Sequence, residues 1–144
     1  MQVYPTPHCE AFLKRHRVGV MALAKEGKAY AVPLFFAYDG ERLFFMSHPG
    51  EKDGFIEACA EACFVVVQVD DEDDWVSVQA TGPVEKVTLS DDAMLALDLM
   101  AKNPFPPEFG TTPTGWPKHS ADKMYIWMMR PQKLTGRASR APRE

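Results

Sequence analysis

Apolar and polar residues change their spacing repeatedly along the chain, and each change marks an expected element. Over residues 7–16, Cys9, Phe12 and Leu13 fall on one side of a helix, with Glu10, Lys14 and Arg15 on the other. Small and β-branched apolar residues take over at 17–24, and after Gly27 an extended run continues through 28–38. These two segments are expected to pair. Asp39-Gly40 then separates Phe35 and Phe36 from Phe44 and Phe45, a pattern that suits a two-residue hairpin turn.

Helical spacing returns at 53–62, where Phe55, Ile56, Cys59 and Cys63 align and Glu57 and Glu61 are left to solvent. Residues 64–69 read as a strand. The acidic run 70–74 reads as a solvated turn, because it lacks the glycine and distal glutamate of a calcium loop. Residues 75–87 are extended again, with a bend or bulge expected at Gly82-Pro83. Ser90 can cap a helix carrying Met94, Leu95, Leu99 and Met100. Proline-rich residues 103–117 form a loop that packs or closes as a lid, and 123–130 reads as the last barrel strand. Six or so strands joined by tight turns, with three short helices, make an α+β, mainly β, antiparallel barrel in a single domain over 1–144.

Composition narrows the class without changing it. Apolar residues make up 46% and charged residues 25% of the 144 positions, as in ordinary globular chains. The net charge of −4 argues against a general nucleic-acid binder. Arg137, Arg140 and Arg143 read as a solvated basic tail, of which only Arg137 is a site candidate. Three cysteines, Cys9, Cys59 and Cys63, suit a reducing compartment better than a disulfide framework, and the Cys59–Cys63 spacing suits helix packing better than a metal half-site. Neither a secretory pattern nor a membrane-length apolar run is present in the sequence, so cytoplasm is expected.

The dinucleotide glycine fingerprint and the phosphate-binding P-loop are both absent, so a nucleotide-like cofactor would rest on side chains and strand edges. Pro33 cannot donate a ladder hydrogen bond and therefore marks a bulge or an exposed edge, where freed backbone groups can meet a flat heteroaromatic ring. A plain edge strand is the simpler reading of that segment alone. Ser47, Gly50 and Lys52 stand between a strand and a helix, where a hydroxyl, amides and a cation can converge on a phosphate. In a plain loop the same residues would be solvated. Period-two alternation puts Trp75 and Ser77 on one face, toward a common ligand or a dimer contact.

Taken in order, the Pro33 segment, the Ser47–Lys52 turn, the Trp75–Val78 strand with Gly82, and the 127–137 stretch resemble the pyridoxamine 5′-phosphate oxidase-like FMN-binding family, nearest its nitroimidazole-reductase branch. The resemblance covers roughly residues 12–136. It implies an antiparallel split barrel, a homodimer, and FMN at the interface of the two protomers. Val32, Pro33, Leu34 and Phe35 would follow the isoalloxazine and ribityl chain, with Met46, Ser47 and Lys52 around the phosphate. Ser77 occupies the position of a polar cofactor contact, Trp127 and Arg137 would complete the pocket, and Trp75 joins the expected site through its shared face with Ser77. Glu51 stands where the oxidase has a basic residue, and the oxidase's C-terminal substrate cluster is not evident, so pyridoxamine phosphate oxidation is not expected. Phe45 takes the place of a histidine often found in the reductase branch, and His48 is a poor substitute. The implied function is an oxidoreductase passing electrons through FMN. The alternatives are a flavin carrier or sensor, a deazaflavin binder, or a haem binder with His16, His48 or His119 as axial ligand.

Overall fold

The structure is a computed structural model describing residues 1–47, 50–58, 61–102 and 125–142. In chain order the elements are β1 (Gln2–Val3), α1 (Thr6–Lys14), β2 (Val18–Lys25), β3 (Lys28–Tyr38), β4 (Leu43–Ser47), α2 (Glu51–Ala58), β5 (Glu61–Asp71), β6 (Asp74–Lys86), α3 (Ser90–Lys102), β7 (Tyr125–Met129) and β8 (Lys133–Ala138). Six strands close a barrel in the order β2-β3-β4-β7-β6-β5, every pair antiparallel. Closure removes exposed sheet edges except where strands outrun their neighbours.

The barrel interior is aromatic. Phe36 and Phe45 both meet Phe64 edge to face, at centroid distances of 5.0 and 4.7 Å. Phe64 is fully buried, and a phenyl group removed from water in this way contributes about 1.5–3 kcal/mol. Helix α1 adds Cys9, Phe12 and Leu13 to the same core, the three residues its periodicity placed on one side. A second, smaller core lies outside the barrel, where Ala96 and Met100 of α3 pack on Ala37, Phe44 and Met128. Alternation along β3 and β4 therefore serves both layers.

Pro33 lies in an unbroken β2–β3 register, opposite Val20, so it marks an edge and not a bulge. The Phe36 amide donates to the Arg17 carbonyl, and alternation from there turns the Pro33 nitrogen away from β2. On that far side β4 pairs with β3 only from Phe35 onward. The missing amide costs no ladder bond, and the edge from Lys28 to Leu34 stays open.

Several local expectations are corrected. Residues 53–62 do not form one helix: among the described residues α2 spans Glu51–Ala58, and Glu61, Ala62 and Cys63 lie in β5. The apolar spacing fitted both periods, and the Ala62–Val66 alternation against β2 and β6 prevailed. Gly82-Pro83 is not a bulge, since the β5–β6 register runs through it; β6 there changes its other neighbour from β8 to β7. The register shift falls instead between Val69 and Asp71. At the β3–β4 turn, only Gly40 has a positive φ, of 102°, while the Asp39 carboxylate accepts the Glu41 and Arg42 amides. The turn is therefore centred one residue later than expected.

Strand β8 replaces the solvated tail. It pairs with β6 from Val76 to Thr81, and β1 pairs with its outer edge. Beyond it, Arg140 donates two hydrogen bonds to the Asp73 carbonyl, so this arginine is pinned to the β5–β6 turn. The expected loop at 103–117, with His48, Cys59 and His119, lies outside the described residues.

Candidate functional site

The open edge of β3 faces the first turn of α2 across a cleft of about 500 Å³. Val32, Pro33, Leu34 and Phe35 form one wall, and Met46, Ser47 and Lys52 bound the other end. Seven of the expected site residues thus meet in one cavity. Val18, Tyr30, Gly50 and Glu51 also line it. Tyr30 was legible in principle, because it lies two residues before Val32 on the same strand face. It stacks on Phe55 of α2 at 5.0 Å, which ties the helix to the strand and closes one side.

The polar end is built by the helix start. Asp53 Oδ2 accepts the Gly50 amide at 3.3 Å, and the Gly50 carbonyl accepts the Asp53 amide at 3.1 Å, a reciprocal arrangement that fixes the first turn. This turn carries Lys52 inward to 4% exposure, with Nζ 3.2 Å from Asp53 Oδ1. Ser47, at the end of β4, is buried to 6% exposure, and its Oγ has no hydrogen-bond partner. Leaving a buried hydroxyl unpaired costs about 1–3 kcal/mol, so the site is built for an acceptor or donor that the chain itself does not provide. Among the described residues, Lys52 is the sole cation lining the cleft. A phosphate fits this end, where a lysine, a hydroxyl and the positive end of α2 converge.

The other four expected residues do not line this cleft. Trp127 is a barrel-core residue paired with Phe45, and its buried Nε1 lacks a partner. Trp75 lines a separate hollow of about 230 Å³ with Phe12, Arg15 and Arg140. Ser77 and Arg137 line a third, of about 200 Å³, with Gln79 and Thr135. That third hollow shares a sheet face with the cleft, since Pro33, Val20, Val65, Gln79 and Thr135 stand opposite one another strand by strand. Four inter-strand steps of about 4.8 Å separate the two ends of that row, roughly 19 Å within the chain.

His16 stacks on Phe12 at 3.9 Å, with its ring nitrogens engaging the Phe12 carbonyl and Gln68 Oε1. Both nitrogens are occupied by the fold and neither addresses the cleft. Among the described residues, no helix is long and apolar enough to cross a membrane.

A closed antiparallel barrel of six strands, flanked by three short helices and cut by a cleft at one strand edge, defines the split-barrel class. The family model for pyridoxamine 5′-phosphate oxidase matches residues 5–138, and the chain belongs to that family. Solved structures share the fold. A FAD-binding protein from Mesorhizobium loti superposes with a TM-score of 0.75 at 23% identity, covering 95% of each chain. A FAD-binding protein from Mycobacterium smegmatis gives 0.74 at 18% identity, covering 95% of this chain and 97% of the other. A candidate 5-nitroimidazole antibiotic resistance protein from Bacteroides thetaiotaomicron gives 0.68 at 20% identity, covering 94% and 85%. An uncharacterised protein of Rhizobium meliloti is 22% identical over 87 residues, which span 60% of this chain and 58% of that relative's length.

Proposed function

We propose that the chain binds FMN between two copies of itself and serves as an oxidoreductase, with a reduced nicotinamide or another donor and a small-molecule acceptor. The observation that carries this reading is the buried, unpartnered Ser47 hydroxyl beside the buried Lys52, at one end of a cleft whose wall is an open strand edge. Ser47, Lys52 and the α2 start suit the phosphate. Val32, Pro33, Leu34 and Phe35 offer an apolar wall to a flat ring, while alternation leaves the Ala31 amide and Pro33 carbonyl on the open edge to bond its heteroatoms. The bound flavin would supply the electron transfer, so the chain's task is to bind, orient and shield it.

The exposed valines on the shared sheet face support a second copy. Val18, Val20, Val67 and Val69 are 40–64% exposed there, a patch more typical of an interface than of a free surface. A two-fold partner laid on that face would bring Ser77 and Arg137 of one copy toward the cleft of the other. The free cysteines Cys9 and Cys63 fit a cytoplasmic setting.

FAD is the second reading, favoured by the two FAD-binding proteins with the same fold. The test is the visible spectrum of purified protein before and after incubation with FMN or FAD and desalting, with chromatography of the released chromophore. Retained FMN at one per chain supports the proposal, and retained FAD supports the second reading. A colourless protein that retains neither overturns both. Steady oxidation of a reduced nicotinamide with an added acceptor separates an oxidoreductase from a flavin carrier.

A further inference from the structure

Lys52 is not presented to the cleft as a bare cation. Its ammonium lies 3.2 Å from Asp53 Oδ1, and the other oxygen of that carboxylate takes the Gly50 amide. Both donors belong to residues that line the cleft, and both are the kind an incoming phosphate needs. Asp53 therefore lies as a carboxylate within ion-pair distance of the first donor, with no hydrogen bond at Oδ1, and accepts the hydrogen bond of the second. The neighbouring Glu51 adds a second negative charge at the rim, so residues 51–53 together present a net charge of −1 around one lysine. Ser47 Oγ, buried and unpartnered in the same cavity, independently points to a ligand at this end.

We propose that Asp53 is a specificity-determining residue: an internal carboxylate that competes with the ligand's phosphate for Lys52 and the Gly50 amide. A dianionic phosphate monoester must displace this carboxylate and then remain beside it. The affinity for the phosphate end is thereby held down, while the apolar wall, which Asp53 does not line, continues to bind the ring. The chain consequently discriminates between a phosphorylated flavin and the same flavin without its phosphate less sharply than it would without this carboxylate. A carboxylate that merely positioned Lys52 for the ligand would do the opposite, strengthening the preference for the phosphorylated form.

This inference rests on the flavin reading of the cleft, and the experiment separates the two. Asp53→Asn keeps an oxygen that can accept the Gly50 amide but removes the charge. FMN and riboflavin are titrated into wild type and variant by fluorescence quenching. The expected result is FMN binding about three- to tenfold tighter in Asp53→Asn, the scale of a partly exposed ion pair, with riboflavin affinity unchanged. Weaker FMN binding, no change, or an equal change for riboflavin overturns the proposal. Asp53→Ser, which retains a hydroxyl at the helix start, gives the same comparison if the asparagine variant does not fold. If wild type binds neither flavin, the flavin reading fails by itself. Inorganic phosphate then reads the competition directly through its 31P line width: tighter binding to the variant supports the role of Asp53, and equal binding excludes it.

Discussion

Ser77 and Arg137 stand directly opposite each other across the β6–β8 ladder, and Val67 stands opposite Ser77 on β5. The three form a row on the outward sheet face, with Val67 53% exposed. If a second copy covers this row, Val67→Glu places a charge in the contact. The expected outcome is a dimer for wild type and a monomer for the variant by light scattering, with lower flavin affinity in the variant. A monomeric wild type that binds flavin with full affinity would rule out a shared site.

If the cleft takes FMN, Lys52 is the anchor of its phosphate. Lys52→Ala is expected to weaken FMN binding by about 1.5–3 kcal/mol, roughly tenfold to more than a hundredfold, the value of a hydrogen bond to a charged group. Riboflavin should bind the variant and wild type alike. Calorimetric titration of both ligands checks this, and unchanged FMN affinity would remove Lys52 from the site.

Ser47 couples stability to ligand in an unusual direction. Its buried hydroxyl lacks a partner, so Ser47→Ala should leave the ligand-free protein as stable as wild type or more so. The same variant should gain less from added FMN, because the hydroxyl finds its partner only in the complex. Thermal midpoints with and without FMN test this; a destabilised ligand-free variant would show that Ser47 serves the fold.

Gly82 sits where β6 passes from β8 to β7. A Cβ there would come within 2.7 Å of the Arg130 carbonyl oxygen and 3.2 Å of the Gln132 nitrogen, both backbone atoms with little room to move. Gly82→Ala should cost about 1–3 kcal/mol, the usual range for forcing an extra carbon into a packed site. Denaturant unfolding measures it, and wild-type stability would mean that the 130–132 backbone yields.

Tyr38 is buried, its hydroxyl donating to the Gly40 carbonyl, and burial followed by the charges of Glu10, Asp39 and Glu41 pushes its pKa from 10.0 up to about 12. The unfolded chain releases this proton first. The contribution to stability is therefore complete below pH 10 and is lost as pH rises toward 12. Ultraviolet titration should show one tyrosine ionising late, and Tyr38→Phe should remove that step and flatten the alkaline loss of stability.

The alternation in β3 and β4, the helical side of α1 and the glycine turn after Tyr38 were legible in the sequence, because each depends on residues within a few positions of one another. The same holds for the Val32–Phe35 wall and for Ser47 and Lys52, which are near neighbours across one strand, one turn and one helix start. Their meeting in a single cleft was legible through the resemblance. Residues 61–63 were not, since their apolar spacing suits a helix and a strand equally; pairing of β5 with both β2 and β6 decided it. Strand β8 was hidden for a related reason, as Lys133–Ala138 has little apolar alternation and becomes a strand by filling the free edge of β6.

Local chemistry in the sequence thus determined the barrel class and most of the strands, and the resemblance supplied the composition of the cleft. Tertiary structure alone decided that Pro33 costs no ladder bond and that Trp75, Ser77, Trp127 and Arg137 stand apart from the cleft within one chain. Those outcomes depend on which strand lies beside which and on which polar groups burial leaves without water. Such facts arise from contacts distant in sequence, and no local pattern encodes them.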